Sequence, residues 1–317
     1  MRHHLLGAIA LTLATLPFLG CNADTATDSE EVVPQALGRF ASSDWSEPQP
    51  IGPPVNTTAS EQNATLAKDE LTLYFTSDRT DGRGAFDIWI SKRATTDDPW
   101  GAPENLQAIN TTSADFAPNL STDGHLLFFA SNRQGSNDIY VSRRANPNDD
   151  QGWGPPTRLG SGVNTADAEN APMYLQSAED GSVNLYFNRG VLTAGQGDIY
   201  QAAITRDGET LGPAVRVDEL SVPAPVNDAA VSIRADGREI FFWSTRGGNQ
   251  DLWTSTRQSV HHPWSEPTRL DAPLNSAAGD LTPSLTHDAR TLVFASSRAP
   301  SLGGNDLWIT TRTPSGK

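Results

Sequence analysis

Five times between residues 69 and 312 the chain writes nearly the same phrase, with a period of about 51 to 60 residues. A repeat of that length constrains the fold more than any other feature, because each copy must be one structural unit that cannot bury its apolar surface alone. Five markers recur. The first is an aromatic segment ending near an arginine: "LYFTSDR" at 73, "LFFASNR" at 127, "LYFNR" at 185, "IFFWSTR" at 240 and "LVFASSR" at 292. The second is Asp-Ile/Leu-aromatic, beginning at Asp87, Asp138, Asp198, Asp251 and Asp306. A turn pair precedes each aromatic segment: "DE" at 69, Asp-Gly at 123, 180 and 236, and "DA" at 288. Trp-x-x-Pro follows at Trp45, Trp100, Trp153 and Trp264, and survives in the remaining copy only as Leu211-Gly212-Pro213. The fifth marker is an aliphatic residue followed by Asn-Thr or Asn-Ser, at Asn56, Asn110, Asn164 and Asn275.

These markers read as strands and turns. "FTS" and "DIWIS" alternate apolar and polar residues, as a strand buried on one face does. Asp-Gly supplies the positive backbone angles of a tight hairpin turn. The Asp before Ile-Trp is expected to cap its own turn through its carboxylate. Proline after Trp suits an edge strand, where a missing N–H costs nothing. One copy is therefore four strands, for which "APNLS", "HLLFFAS", "NDIYVSR" and "GPPTRLG" are the example. Such a sheet has two apolar faces, and packing against like sheets around an axis covers both. The last copy ends after its third strand, while "WSEPQPIG" at 45–52 is a surplus fourth strand. The expected fold is all-β: a five-bladed β-propeller of four-stranded blades over 45–317, closed by an N-terminal strand that completes the last blade.

The residues "VNTADAENAP", "LSTDG", "LFFASNR" and "NDIYVSRR" resemble the WD40-like propeller repeats of the TolB type, in the version found in bacterial envelope lipoproteins. The resemblance spans residues 45 to 317, and no N-terminal TolB domain or OmpA-like module accompanies it. It implies an envelope protein that binds a protein or glycan partner, without cofactor and as a monomeric propeller. The N-terminus agrees. Arg2 precedes an apolar run from Leu5 to Leu19, and "PFLGC" ends in Cys21, the only cysteine. Residues 1–20 read as a signal peptide, and Cys21 resembles the lipidated residue of a lipobox. A flexible, partly acidic tether fills 21–44. The expected localisation is exported and lipid-anchored to the outer membrane. A formal charge of −15 excludes non-specific nucleic-acid binding, and leaves the lipid as the only membrane contact.

Candidate chemistry also repeats. Glu61, Asp115, Glu169, Asp228 and Asp280 each stand just before a first strand, which in a propeller lines the axial channel, so a ring of five acids is expected at one mouth. Bare carboxylates about 10 Å apart would repel by about 1.7 kcal/mol per pair at an effective dielectric of 20. Arg79, Arg133, Arg189, Arg246 and Arg298 recur once per copy and are the expected ring partners, a bound cation being the other way to neutralise the ring. No catalytic residue and no metal ligand set is assigned. His261-His262 has no third ligand nearby in sequence, and neither a Gly-x-Ser-x-Gly elbow nor HExxH is present. Repetition itself argues for structure, since chemistry at one centre needs unique residues. The alternative is a five-bladed glycoside hydrolase, which would carry such unique acids in its channel. Trp243 stands where other copies have Thr, Ala or Asn, and the third and fourth copies break the pattern most. Any specific ligand is expected to touch those two blades.

Overall fold

The computed structural model describes residues 45–313, which form five four-stranded antiparallel sheets. The signal peptide, Cys21 and the tether expected at 21–44 lie outside the described residues. Blade one is Glu61–Leu66, Thr72–Ser77, Asp87–Lys92 and Glu104–Asn105. Blade two is Asp115–Leu120, Leu126–Gln134, Ser136–Arg143 and Thr157–Arg158. Blade three is Glu169–Gln176, Val183–Arg189, Asp198–Ala203 and Val215–Arg216, with a 3-10 turn at Leu192–Ala194. Blade four is Asp228–Ile233, Glu239–Ser244, Asp251–Thr256 and Thr268–Arg269. Blade five takes Asp280–Leu285, Thr291–Ser296 and Asp306–Thr311 from the end of the described chain, and Gln49–Pro50 from its beginning.

That borrowed strand closes the ring. Gln49 pairs with Ile309 and Pro50 with Trp308, and the Ile51 N–H donates to the Leu307 carbonyl at 2.9 Å. Pro50 takes this place because the strand is an edge, where a missing donor is tolerated. Asn56, just beyond it, grips Leu307 with both ends of its amide, each bond being 3.0 Å.

Alternation suggests strands buried on one face, but the second strand of each blade is buried on both, as is the third in blades one and two. Tyr74 and Phe75 point to opposite sides and are both fully buried, as are Phe128 and Phe129, Tyr186 and Phe187, and Phe241 and Phe242. The reason is that a blade is sandwiched between two others, so neither face of its second strand meets water. Each apolar cluster accordingly bridges neighbours: Tyr74 and Ile90 of blade one pack with Phe129 and Trp153 of blade two. Burying each of these aromatic rings contributes about 1.5–3 kcal/mol.

Every inner strand contains a bulge with one left-handed, non-glycine residue: Asn63, Ala117, Ala171, Ala230 and Thr282, with φ between 48° and 54°. Such a residue costs about 1–2 kcal/mol, so five of them are a deliberate feature of the axis. The bulge turns the inner strand and interrupts pairing where five backbones converge. Two of the freed N–H groups are taken by side chains of the adjoining blade: Asn63 donates to Thr282 Oγ1 at 3.2 Å and Ala117 to Thr76 Oγ1 at 2.9 Å.

Candidate functional site

The five candidate acids are completely buried, each at the first position of an inner strand. Each is held by its own blade's arginine. Arg79 Nη2 lies 3.3 Å from Glu61, Arg189 Nε 2.8 Å from Glu169, Arg246 Nη2 2.5 Å from Asp228 and Arg298 Nη2 2.6 Å from Asp280, with Arg133 on Asp115 likewise. Backbone N–H groups supply the rest: Thr57 donates to Glu61, Thr111 to Asp115, Thr165 to Glu169, Val222 to Asp228 and Ser276 to Asp280, at 2.6–3.1 Å. The arginines are fixed in turn. Each guanidinium lies over two rings, as Arg79 does over Phe75 and Trp89 at 5.2 and 4.8 Å. Four donate to a backbone carbonyl before the inner strand at 2.6–2.9 Å, to Val55, Ile109, Val163 and Leu220, and Arg298 bonds Leu274 in the same way. A buried side chain held by this many donors is fixed in place by its own blade.

Two repeated devices carry no assignment from sequence. The first is the marker asparagine. Asn110 accepts from the Ile88 N–H at 2.9 Å and donates to the Ile88 carbonyl at 2.8 Å, imitating a strand and tying blade two to blade one. Asn164 does the same to Ile139, and Asn275 to Leu252. The second is another arginine, at the end of the third strand. Arg93, Arg144, Arg257 and Arg312 stack on Trp100, Trp153, Trp264 and Trp45 at 4.4, 4.3, 4.1 and 4.8 Å. Their Nε groups donate to carbonyls at the first hairpin turn, of Glu70, Gly124, Gly237 and Ala289. The recurring "KR", "RR", "TR" and "TR" at the end of the third strand was the available signal. The Asp of the second marker caps its turn in blades one and five, where the Gly84 N–H donates to Asp87 at 3.2 Å and the Leu302 N–H to Asp306 at 2.7 Å. In blades two, three and four it pairs instead with fourth-strand Arg158, Arg216 and Arg269.

Along the axis the channel is strongly asymmetric. At the end where the inner strands begin, a well of about 530 Å³ opens. At the left-handed residues it narrows to about 30 Å³, and the far mouth holds about 90 Å³. Gln62, Phe116, Asn170, Asn188, Trp243 and Leu281 line the well from a tier of cross-strand pairs lying one residue after the acids. The pairs are Gln62 with Thr76, Phe116 with Ala130, Asn170 with Asn188, Ala229 with Trp243, and Leu281 with Ala295. In three pairs a large apolar residue faces alanine, which keeps the tier even. Above it stand Asn137, Gln250 and Asn305. Among the described residues, no Asp, Glu, Lys, Arg or His lines this well. The five acids, at the same end, are directed into the blades.

Blade three departs from the template at this level. In register, Arg189 occupies the place of Ser77, Ser131, Ser244 and Ser296. Asn188, one residue earlier, is 1 % exposed, and neither its Oδ1 nor its Nδ2 has a hydrogen-bond partner. Leaving such groups unmade costs about 1–3 kcal/mol each. Other buried atoms without partners include the indole Nε1 of Trp89, Trp253 and Trp308, one repeated position away from the well; Asn188 alone among them lines it. Beside Asn188, Asn137 donates to Asn170 Oδ1 at 2.8 Å. The 3-10 turn brings Leu192 to the rim, where Asn227 donates to its carbonyl at 2.8 Å. Gly197 leaves room for it, since a Cβ would sit 2.4 Å from Leu192 Cδ2 and push the leucine aside. Of the two irregular blades singled out in the sequence, blade three supplies Asn170, Asn188 and Leu192 to the well and blade four Asn227, Trp243 and Gln250.

The remaining candidates sit elsewhere. His261 Nε2 lies 3.5 Å from Asp180 and His262 Nδ1 2.7 Å from Ser259, in an exposed loop. Among the described residues no three His, Cys, Asp or Glu side chains converge to hold a metal. No helix among them is long and apolar enough to cross a membrane.

Fold and site together define a five-bladed β-propeller with a neutral axial well. No protein-family model matches the sequence, and neither does any curated protein. Among solved structures, the native arabinanase of Bacillus subtilis superposes with a TM-score of 0.59 at 14% identity, over 82% of this chain and 96% of that one. The α-L-arabinofuranosidase of Podospora anserina, solved with cellotriose, gives 0.58 at 12% identity, over 84% and 96%. A TolB homologue from Agrobacterium tumefaciens gives 0.50 at 19% identity, over 82% and 80%. At these identities the likeness establishes the ring of blades alone.

Proposed function

We propose that this chain is a non-catalytic binding propeller of the bacterial cell envelope, held by a lipid on Cys21, which takes a protein or glycan partner at the wide mouth of its channel. One observation carries the reading: the wide axial well has no ionisable side chain in its wall, while the five repeated carboxylates are buried and held by arginine and backbone donors. Glycoside hydrolysis needs two carboxyl groups flanking the bond, about 5–5.5 Å or 6.5–9.5 Å apart. The arabinanase and arabinofuranosidase share the ring, and hydrolysis is therefore the second reading; the neutral wall weighs against it. A stiff well without acids suits recognition.

The experiment is to incubate the purified chain with arabinan, xylan and β-glucan and measure reducing ends. The expected result is no release above the protein-free control. Turnover abolished by changing any one of the five acids to its amide, with the fold intact, would replace this proposal with the hydrolase. The anchor is checked by fractionating cells that express Cys21→Ser, whose chain is expected to leave the membrane fraction.

A further inference from the structure

Asn188 presents a donor and an acceptor side by side, 1 % exposed, unpartnered, and facing a well of about 530 Å³. Buried amides are almost always satisfied, and one that is not calls for an explanation. Its cross-strand neighbour Asn170 spends only Oδ1, on Asn137, which leaves Asn170 Nδ2 without a protein partner among the described residues. Blade three thus aims a row of free amide groups into the well. Phe116 and Trp243 line the same space from blades two and four.

Resting on the binding reading above, we infer that the occupant is the terminal ring of a neutral saccharide, inserted end-on. Three features select it. A sugar hydroxyl donates and accepts at once, as each carboxamide does, so an amide pair can hold adjacent hydroxyls. Aromatic walls accept the apolar C–H face of such a ring. The space falls from about 530 Å³ in the well to about 30 Å³ at the left-handed residues, which favours a ligand that enters by an end. That last point excludes the principal rival. A peptide end carries a free carboxylate or ammonium, and a phosphate carries a charge, whereas the wall has no ion to pair with either. The non-reducing end of a glycan is uncharged and rich in hydroxyls.

The test uses the purified full chain on an array of neutral oligosaccharides displayed through their reducing ends. Sialylated and uronate-bearing glycans and peptides with free termini form the other arms. Binding is expected in the neutral arm alone. For the best neutral glycan, Asn188→Leu and Trp243→Ala should each weaken binding about tenfold or more, since a site built around hydrogen bonds discriminates strongly when one is lost. Asn188→Leu should also melt at or above the parent temperature, because it removes unmet polar groups from a buried place. Binding confined to charged glycans or peptides overturns the inference. So does no binding in any arm, or a fall in the melting temperature of Asn188→Leu, which would mean the amide is a structural bond. The underlying reading fails differently: mass-spectrometric release of sugar from a bound glycan would make the protein an enzyme while leaving the neutral ligand in place.

Discussion

In blade two, Arg144 stacks on Trp153 and donates to Gly124, and its Nη1 meets Asp150 at 3.0 Å. Tyr74 and Lys92 of blade one reach the same carboxylate, so the cluster fastens two blades together. In blade three the corresponding places hold Ile204 and Leu211, and Leu211 is 65% exposed. A backbone bridge from Ile204 to Thr210 and a reach by Arg143 of blade two to Asp207 and Glu209 stand in for the lost stack. Both blades come from one template. Blade two commits its polar side chains to the scaffold; blade three drops a scaffold pair on the outside and leaves Asn188 unspent on the inside. A ring of near-identical sheets can carry one relaxed member, because its neighbours hold it on two sides.

The comparison breaks most visibly if blade two is given blade three's residue. Arg144→Ile should cost about 3–5 kcal/mol, since it removes the buried one of the two cations on the Asp150 carboxylate together with the stack on Trp153. That is roughly 6 to 10 °C in melting temperature, readable by calorimetry. A loss no larger than 1 °C would mean the stacked arginines are ornamental in every blade.

A smaller effect lies in acid. Burial opposes the charge of Asp150, but hydrogen bonds from Lys92 and Arg144 outweigh it and hold the carboxyl below its ordinary value of 3.8. A carboxylate lowered in the folded state adds stability that is fully present above the unfolded value and is lost as pH falls through the folded one. Melting temperatures followed from pH 7 to about pH 3 should therefore fall less steeply for Asp150→Asn than for the parent, from a lower starting point. Parallel curves would remove Asp150 from the account. The smallest change is Ile204→Arg with Leu211→Trp: the restored stack adds about 0.5–1 kcal/mol, which does not offset the apolar burial lost with Ile204, 2 % exposed in the core, so a net loss is expected by thermal unfolding. Sugar binding should be unaffected, because neither position touches the well.

The chain's own order of markers was enough to count the blades, pair the strands and find the seam, because each blade is a local unit and the surplus of one fourth strand at the start matches the deficit at the end. It was also enough to single out Trp243 and the two irregular blades. What it could not show was direction. Glu61 and Gln62 are neighbours in sequence, yet one is directed into the blades and the other into the well; a bulge one residue later and the stacking of adjacent sheets fix which. Nor could it show that Asn188 lacks a partner. "LYFNR" is two residues shorter than its counterparts, so Arg189 slides into the serine position and takes the acid directly, and the asparagine beside it falls into a tier where the other blades place Thr, Ala or Trp. Whether a polar group is satisfied depends on atoms brought from distant parts of the chain, and only the assembled ring supplies or withholds them.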